Sequence, residues 1–315
     1  MKRILFPTDF SEVAERAFVH ASYLAGRFNA ELHVLHVVVP QTLGGVTPMD
    51  YLPIGDVSKA EERPEHYGDR VSKSRSFPVV HAQVEDQSPS TAVLHYAEEH
   101  DADLIVMGTH GRSGFDRLLL GSVAEDVVQM ASCPVLTVHG GGDGTEASAV
   151  NRILVPVDFS EHSKLNISYA RELAVMYGSQ IDVLHVVEDY ALAPIYGLEP
   201  VAMNTPEVLD NVRNGLIEMV REVKGAEVPV EVHVETGHPV SEIIAFAERS
   251  GAGLIVIATH GLTGLKRFFL GSVTERVVRG ATCPVFTVKS FGKELIQGRP
   301  SVDTLRADKG ADLAT

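Results

Sequence analysis

One stretch of this chain occurs twice, and that recurrence limits the fold more than any other feature. Residues 103–138 read DLIVMGTHGRSGFDRLLLGSVAEDVVQMASCPVLTV, and residues 253–288 read GLIVIATHGLTGLKRFFLGSVTERVVRGATCPVFTV. At an offset of 150 the two agree at 21 of 36 positions. Each copy reads as strand, glycine-bearing loop, helix, strand. LIVMG and LIVIA are short apolar runs, as expected of strands buried on both faces of a parallel sheet. Small residues then follow at fixed spacing. The first copy has Gly108-x-x-Gly111, nine residues, and Gly121-Ser122; the second has Ala258-x-x-Gly261, nine residues, and Gly271-Ser272.

A loop that follows a parallel strand lies at the carboxyl edge of the sheet, where open α/β folds bind ligands. Glycine there admits positive φ and close approach of a ligand to the backbone. Successive N–H groups can form an anion-binding concavity. Gly121-Ser122 and Gly271-Ser272 each precede a segment that reads as a helix, whose exposed N–H groups and positive dipole end favour phosphate. A lone glycine pattern would be explained by a tight turn. Two copies, each with Gly-Ser at a helix start, favour a phosphate cradle built twice.

The remainder of the chain repeats as well. Residues 2–6 read as a strand, Pro7-Thr8-Asp9-Phe10-Ser11 as a loop, and residues 12–28 as a helix capped by Ser11. Ala14, Ala17, Phe18, Ala21, Leu24 and Ala25 lie on one face of that helix. LHVLHVVV at 32–39 is a second strand and 79–84 a third. Ser88-Pro89 opens a helix that runs to about His100. Residues 40–56 read as irregular, and 61–74 as a poor helix candidate. After Gly140-Gly141-Gly142-Asp143-Gly144, a flexible linker by composition, the pattern restarts at Arg152 with an offset of 149. Pro156-Val157-Asp158-Phe159-Ser160 repeats the first loop, and IDVLHVV at 181–187 repeats the second strand. Helices are expected at 161–177, at 206–224 and from Gly237-His238-Pro239 to Arg249, with a strand at 229–234. Such alternation predicts α/β architecture: a parallel sheet with helices on both faces, built twice, with five strands and about four helices in each half. The expected divisions are 1–139, a linker at 140–150, 151–289, and a tail at 290–315 that is disordered by composition.

Net charge decides which partners are excluded. At −15 with 22% charged residues, the chain is poorly suited to nonspecific binding of nucleic acid or anionic membranes. No apolar run approaches the length of a membrane span. Met1-Lys2-Arg3 leads into only three apolar residues before Pro7, which is no signal peptide. The cytoplasm is the expected compartment. The two cysteines, Cys133 and Cys283, are equivalent positions before a proline and read as small residues at the start of a strand.

The P-T-D-F-S loop, the L-H-V second strand and the G-x-x-G-x9-G-[ST] loop together resemble the universal stress protein domain. The resemblance covers residues 1–138 and 151–289 in the layout of the tandem members. It implies two Rossmann-like domains with strand order 3-2-1-4-5, ATP as ligand, and pairing through the fifth strands, here between the two halves, with a homodimer as a further arrangement. Asp9, with Pro7 and Thr8, would sit near the adenosine, its carboxylate towards the ribose. Val37 would offer backbone groups to adenine, and Met107 would line the pocket. Gly108, His110 and Gly111 belong to the loop around the phosphates, which Gly121, Ser122 and Val123 complete. The matching positions in the second half are Pro156, Val157, Asp158, Val186, Ile257, Ala258, His260, Gly261, Gly271, Ser272 and Val273. Mg²⁺ bridging the phosphates is implied; no protein-only metal site is visible in the sequence.

Each half departs from the other at one glycine. Ala258 stands where the first half has Gly108, which would be strained if φ there is positive. Gln87 stands where the second has Gly237. Asp9 and Asp158 also fit a role as helix caps. His36 and His185, within apolar strands, fit core histidines with satisfied rings. His110 and His260 either face phosphate or pack the loop. Arg117 and Arg267 recur in it and fit surface pairing better than phosphate contact. Three functions remain open at this level. The first is an ATP-binding stress-response protein in which nucleotide switches or stabilises the fold with slow or no turnover. The second is an ATP-hydrolysing or nucleotidyl-transfer enzyme, for which the sequence offers no base beyond His110 or His260. The third is an interaction module independent of nucleotide.

Overall fold

The computed structural model describes residues 1–40, 77–109, 120–140, 150–188, 205–259 and 270–289. The candidate helix at 61–74, the linker beyond Gly140, the tail from residue 290, and His110, Gly111, Arg117, His260, Gly261 and Arg267 lie outside the described residues. The described residues form two compact units, residues 1–140 and 150–289.

The first unit runs β1 (Arg3–Thr8), α1 (Glu12–Phe28), β2 (Glu31–Val38), β3 (Val79–Glu85), α2 (Pro89–Glu99), β4 (Leu104–Gly108), α3 (Ser122–Met130) and β5 (Val135–Val138). Its strands are all parallel. β1 lies between β2 and β4, β3 pairs with the far side of β2, and β5 with the far side of β4. The second unit runs β6 (Arg152–Pro156), α4 (Glu161–Tyr177), β7 (Gln180–Val187), α5 (Pro206–Glu222), β8 (Val230–Thr236), α6 (Pro239–Ser250), β9 (Leu254–Ala258), α7 (Ser272–Gly280) and β10 (Val285–Val288). Here β6 lies between β7 and β9, with β8 beyond β7 and β10 beyond β9. The predicted α/β class and parallel open sheet are therefore found.

The central strands carry the core because both of their faces are covered. Ile4, Leu5 and Phe6 of β1 are at most 1% exposed, as are Leu104, Ile105 and Val106 of β4 and their counterparts on β6 and β9, apart from Leu254 at 2%. β3 and β8, each paired on one side within its unit, have no fully buried residue. α1 forms because Ser11 Oγ accepts the Ala14 N–H at 3.2 Å and one face is apolar. It stops where Asn29 takes φ 49°, a left-handed conformation that Asn tolerates better than most residues. α4 is its equal in length, capped by Ser160 and ended by Gly178 at φ 75°.

In each unit the chain leaves the central strand in one direction and returns on the other side. The carboxyl ends of β1 and β4, and of β6 and β9, therefore open on a crevice at the switch point. One connection differs between the units. β3 is joined to α2 by residues 86–88 and β8 to α6 by 237–238, one residue fewer. The shorter turn requires Gly237 at φ 141°, whereas Gln87, in the longer one, has no positive φ.

Candidate functional site

The first wall of the crevice is the loop after β1 or β6. In it Phe10 and Phe159 both take φ 62°. An aromatic residue in the left-handed region is rare and costs on the order of 1–3 kcal/mol. The strain is held by local bonds. Phe10 N–H donates to Thr8 Oγ1 at 3.0 Å, and Ser11 N–H to Asp9 Oδ1 at 3.1 Å. In the second half Asp158 Oδ1 accepts from Ser160 N–H at 3.1 Å, Ser160 Oγ at 2.6 Å and Ser163 Oγ at 2.7 Å. The aspartates thus brace the turn, while the serines two residues on cap the helices.

The strand histidines complete this wall. His36 Nδ1 donates to the Thr8 carbonyl at 2.9 Å and His185 Nδ1 to the Val157 carbonyl at 2.8 Å. Their rings meet Phe10 and Phe159, each with centroids 4.8 Å apart. The Nδ1 atom of each ring is satisfied, but the rings are only half-buried and lie at the crevice rather than in the core.

The second wall begins at the ends of β4 and β9. A Cβ on Gly108 would lie 2.9 Å from Val13 Cγ1 and 3.2 Å from the Val13 backbone carbon. Gly108 is therefore required by the close approach of α1, and its φ is not positive. Ala258 has no positive φ either, so the strain feared there is absent. The next residue anchors the loop. Thr109 N–H donates to the Val138 carbonyl at 3.0 Å, and its own carbonyl accepts the Gly121 N–H at 2.7 Å; Thr259 does the same with Val288 at 2.9 Å and Gly271 at 2.8 Å. The loop is stapled at its base in both halves. Thr109 and Thr259 were legible as an identical pair in the repeat, but their role was not.

The staple sets Gly121 and Gly271 as N-caps of α3 and α7. Neither brings a side-chain hydrogen bond, whereas Ser11, Ser88, Ser160 and Thr205 all cap their helices. The first-turn N–H groups at Ser122-Val123 and Ser272-Val273 thus have no side-chain cap, which is the condition for anion binding at a helix start.

In the second half these walls enclose a cavity of about 370 Å³, within the range of small-molecule sites. Pro156, Val157, Asp158, Val186, Ile257, Ala258, Gly271, Ser272 and Val273 all line it. These are all of the described second-half residues expected at the site. Their counterparts Pro7, Thr8, Asp9, Val37, Met107, Gly108, Gly121, Ser122 and Val123 occupy the same strand ends and helix start in the first unit. Sequence reading missed Ser163, Asn166, Glu188 and Thr274 in the lining. Thr274 Oγ1 donates to the Ala258 carbonyl at 2.6 Å and ties α7 to β9.

One other polar cluster has the composition of a metal centre. Asp182, Glu231 and His233 are close enough to share an ion. However, Arg152 Nη1 lies 2.8 Å from both Asp182 oxygens, so the buried carboxylate already holds a cation. The cluster lies within β7 and β8, away from the crevice residues.

Among the described residues no helix is long and apolar enough to cross a membrane. The family model of the universal stress protein family matches residues 1–139 and 149–289. A universal stress protein of Methanocaldococcus jannaschii is 38% identical over 145 residues, covering 44% of this chain and 81% of that one. One from Mycolicibacterium smegmatis is 26% identical over 294 residues, 91% of this chain and 96% of its own. The crystal structure of a universal stress protein from Archaeoglobus fulgidus superposes with TM-score 0.63 at 25% identity, covering 91% of this chain and 98% of that one. A repeated sheet with a repeated strand-end loop, matched by the same family in each half, makes this chain a tandem member of the universal stress protein family.

Proposed function

We propose that the chain binds adenine nucleotide, with ATP as ligand, at the carboxyl edge of its sheets. Bound nucleotide acts as a switch or stabiliser of the fold in stress response, with slow or no hydrolysis. The observation that carries this reading is the second-half cavity, in which strand-end residues face a helix start without a side-chain cap. The α7 N–H groups at Ser272 and Val273 suit the phosphates. The end of β7 at Val186 suits the base, and Asp158 lies between the two. Mg²⁺ would bridge phosphate oxygens, held by the nucleotide rather than by a protein cage. Ligand that binds only the folded chain stabilises it by mass action, which is sufficient for a switch without turnover.

Calorimetric titration of the nucleotide-stripped chain with ATP and Mg²⁺, with chromatography of the nucleotide afterwards, tests the reading. Saturable binding with ATP recovered intact is the expected result. Recovery of ADP would replace it with the enzyme, and no binding at millimolar ATP with the interaction module.

A further inference from the structure

The two halves differ at the floor of the crevice. α1 and α4 each have 17 residues and align without a gap, so Ala14 and Ala17 correspond to Ser163 and Asn166. In the first half both positions are apolar, and both alanines are at most 3% exposed. In the second half two polar side chains, one helical turn apart, line the cavity. Ser163 is already engaged: its hydroxyl donates to Asp158 Oδ1 at 2.7 Å and accepts the Asp158 N–H at 2.9 Å. Asn166 is not. It is 2% exposed, and its Oδ1 has no hydrogen-bond partner among the described residues.

An unpaired amide oxygen in a buried place lowers stability, because folding strips its water and returns nothing. An amide in that condition that also lines a cavity points to a partner brought by the ligand. The topology indicates which part of the ligand that is. β6 lies between β7 and β9, and α4 follows directly from β6. Asn166 therefore lies centrally, between the β7 end at Val186 and the α7 start at Gly271. In a nucleotide spanning those two points, the sugar is the middle group.

We infer that Asn166 hydrogen-bonds a ribose hydroxyl in the second half, making that half selective for ribonucleotides while the first half lacks this contact. The inference rests on the nucleotide reading above. An amide can both accept from and donate to a hydroxyl. Asp158, held in place by Ser160 and Ser163, leaves Asn166 as the added reader of the sugar.

The test is calorimetry of the full chain with ATP, 2′-deoxy-ATP and 3′-deoxy-ATP, on wild type and Asn166→Ala, together with thermal melts of the ligand-free proteins. Alanine is the residue the first half already carries at this position. In wild type at least one deoxy analogue binds about tenfold more weakly than ATP, the scale of one hydrogen bond. In Asn166→Ala, ATP weakens by a similar factor and that difference disappears. The ligand-free variant melts no lower than wild type. Unchanged ATP affinity and sugar discrimination in the variant would overturn the inference while leaving nucleotide binding intact. A lower melt or failure to fold would assign Asn166 a structural role and also overturn it. If wild type binds no adenine nucleotide, both readings fall.

Discussion

Acid should weaken the first half of this protein through one residue, His20. It lies on the inner face of α1 at 3% exposure, with no hydrogen-bond partner for Nδ1 among the described residues. Burial pushes its pKa from 6.5 down to about 4. The imidazole is therefore neutral in the fold over a range where the unfolded chain takes up a proton. Stability from this group is intact above pH 6.5 and is lost as pH falls from 6.5 towards 4. The full loss is about 3 kcal/mol, from 2.5 pKa units at 1.36 kcal/mol each. Between pH 7 and pH 5 it is about 2 kcal/mol by the same linkage. Urea unfolding of wild type and His20→Leu at both pH values measures it, with hydrogen exchange on α1 peptides to assign the transition to the first half. The carboxylates titrate alike in the two proteins and cancel in the comparison. The variant should lose about 2 kcal/mol less than wild type on acidification. Parallel losses would show that His20 is solvated or paired, and would refute the reasoning.

Three further outcomes follow from the packing. Arg152→Met leaves the fully buried Asp182 carboxylate without its guanidinium and should cost the second half roughly 3–5 kcal/mol in urea unfolding, much of it recovered by adding Asp182→Leu. Gly108→Ala places a Cβ against the Val13 backbone and should destabilise the first half by about 1–3 kcal/mol, whereas Ala258→Gly should cost the second only about 0.5–1 kcal/mol. Cys133 is 1% exposed, whereas Cys283 is half-buried and burial pushes its thiol up. A thiol-directed chromophore at pH 8 should therefore label Cys133 only in urea, and Cys283 far more slowly in the folded chain than in urea; rapid labelling of both thiols in the native protein would contradict that.

Much of the fold could be read because the relevant signals are local and repeated. The apolar strands LIVMG and LIVIA, the serine caps and the offset of 149–150 residues state the same architecture twice. All the second-half site residues expected within the described chain meet at one cavity, because strand ends at a switch point must converge. What escaped was tertiary. The left-handed φ of Phe10 and Phe159 runs against the preference of the residue; the Thr8 and Asp9 bonds hold the turn around Phe10, and the Asp158 bonds hold the one around Phe159. Gly108 read as a conformational requirement; the reason is the distance to Val13, which only packing reveals. Asn166 had a signal, since it replaces a buried alanine of the first half, Ala17. That signal appears only when the halves are aligned along α1 and α4 rather than along the glycine loops.

The central claim is that the α7 start in the second-half cavity holds phosphate. Titration of wild type and Gly271→Val with ATP and with adenosine tests it most directly, because a Cβ at Gly271 would lie 3.3 Å from the Thr259 carbonyl and disturb the staple that sets α7. In the second half, wild type should bind ATP more tightly than adenosine, and Gly271→Val should remove that difference while leaving adenosine affinity nearly unchanged. Equal affinity for ATP and adenosine in wild type, or a phosphate preference untouched by Gly271→Val, would contradict the claim.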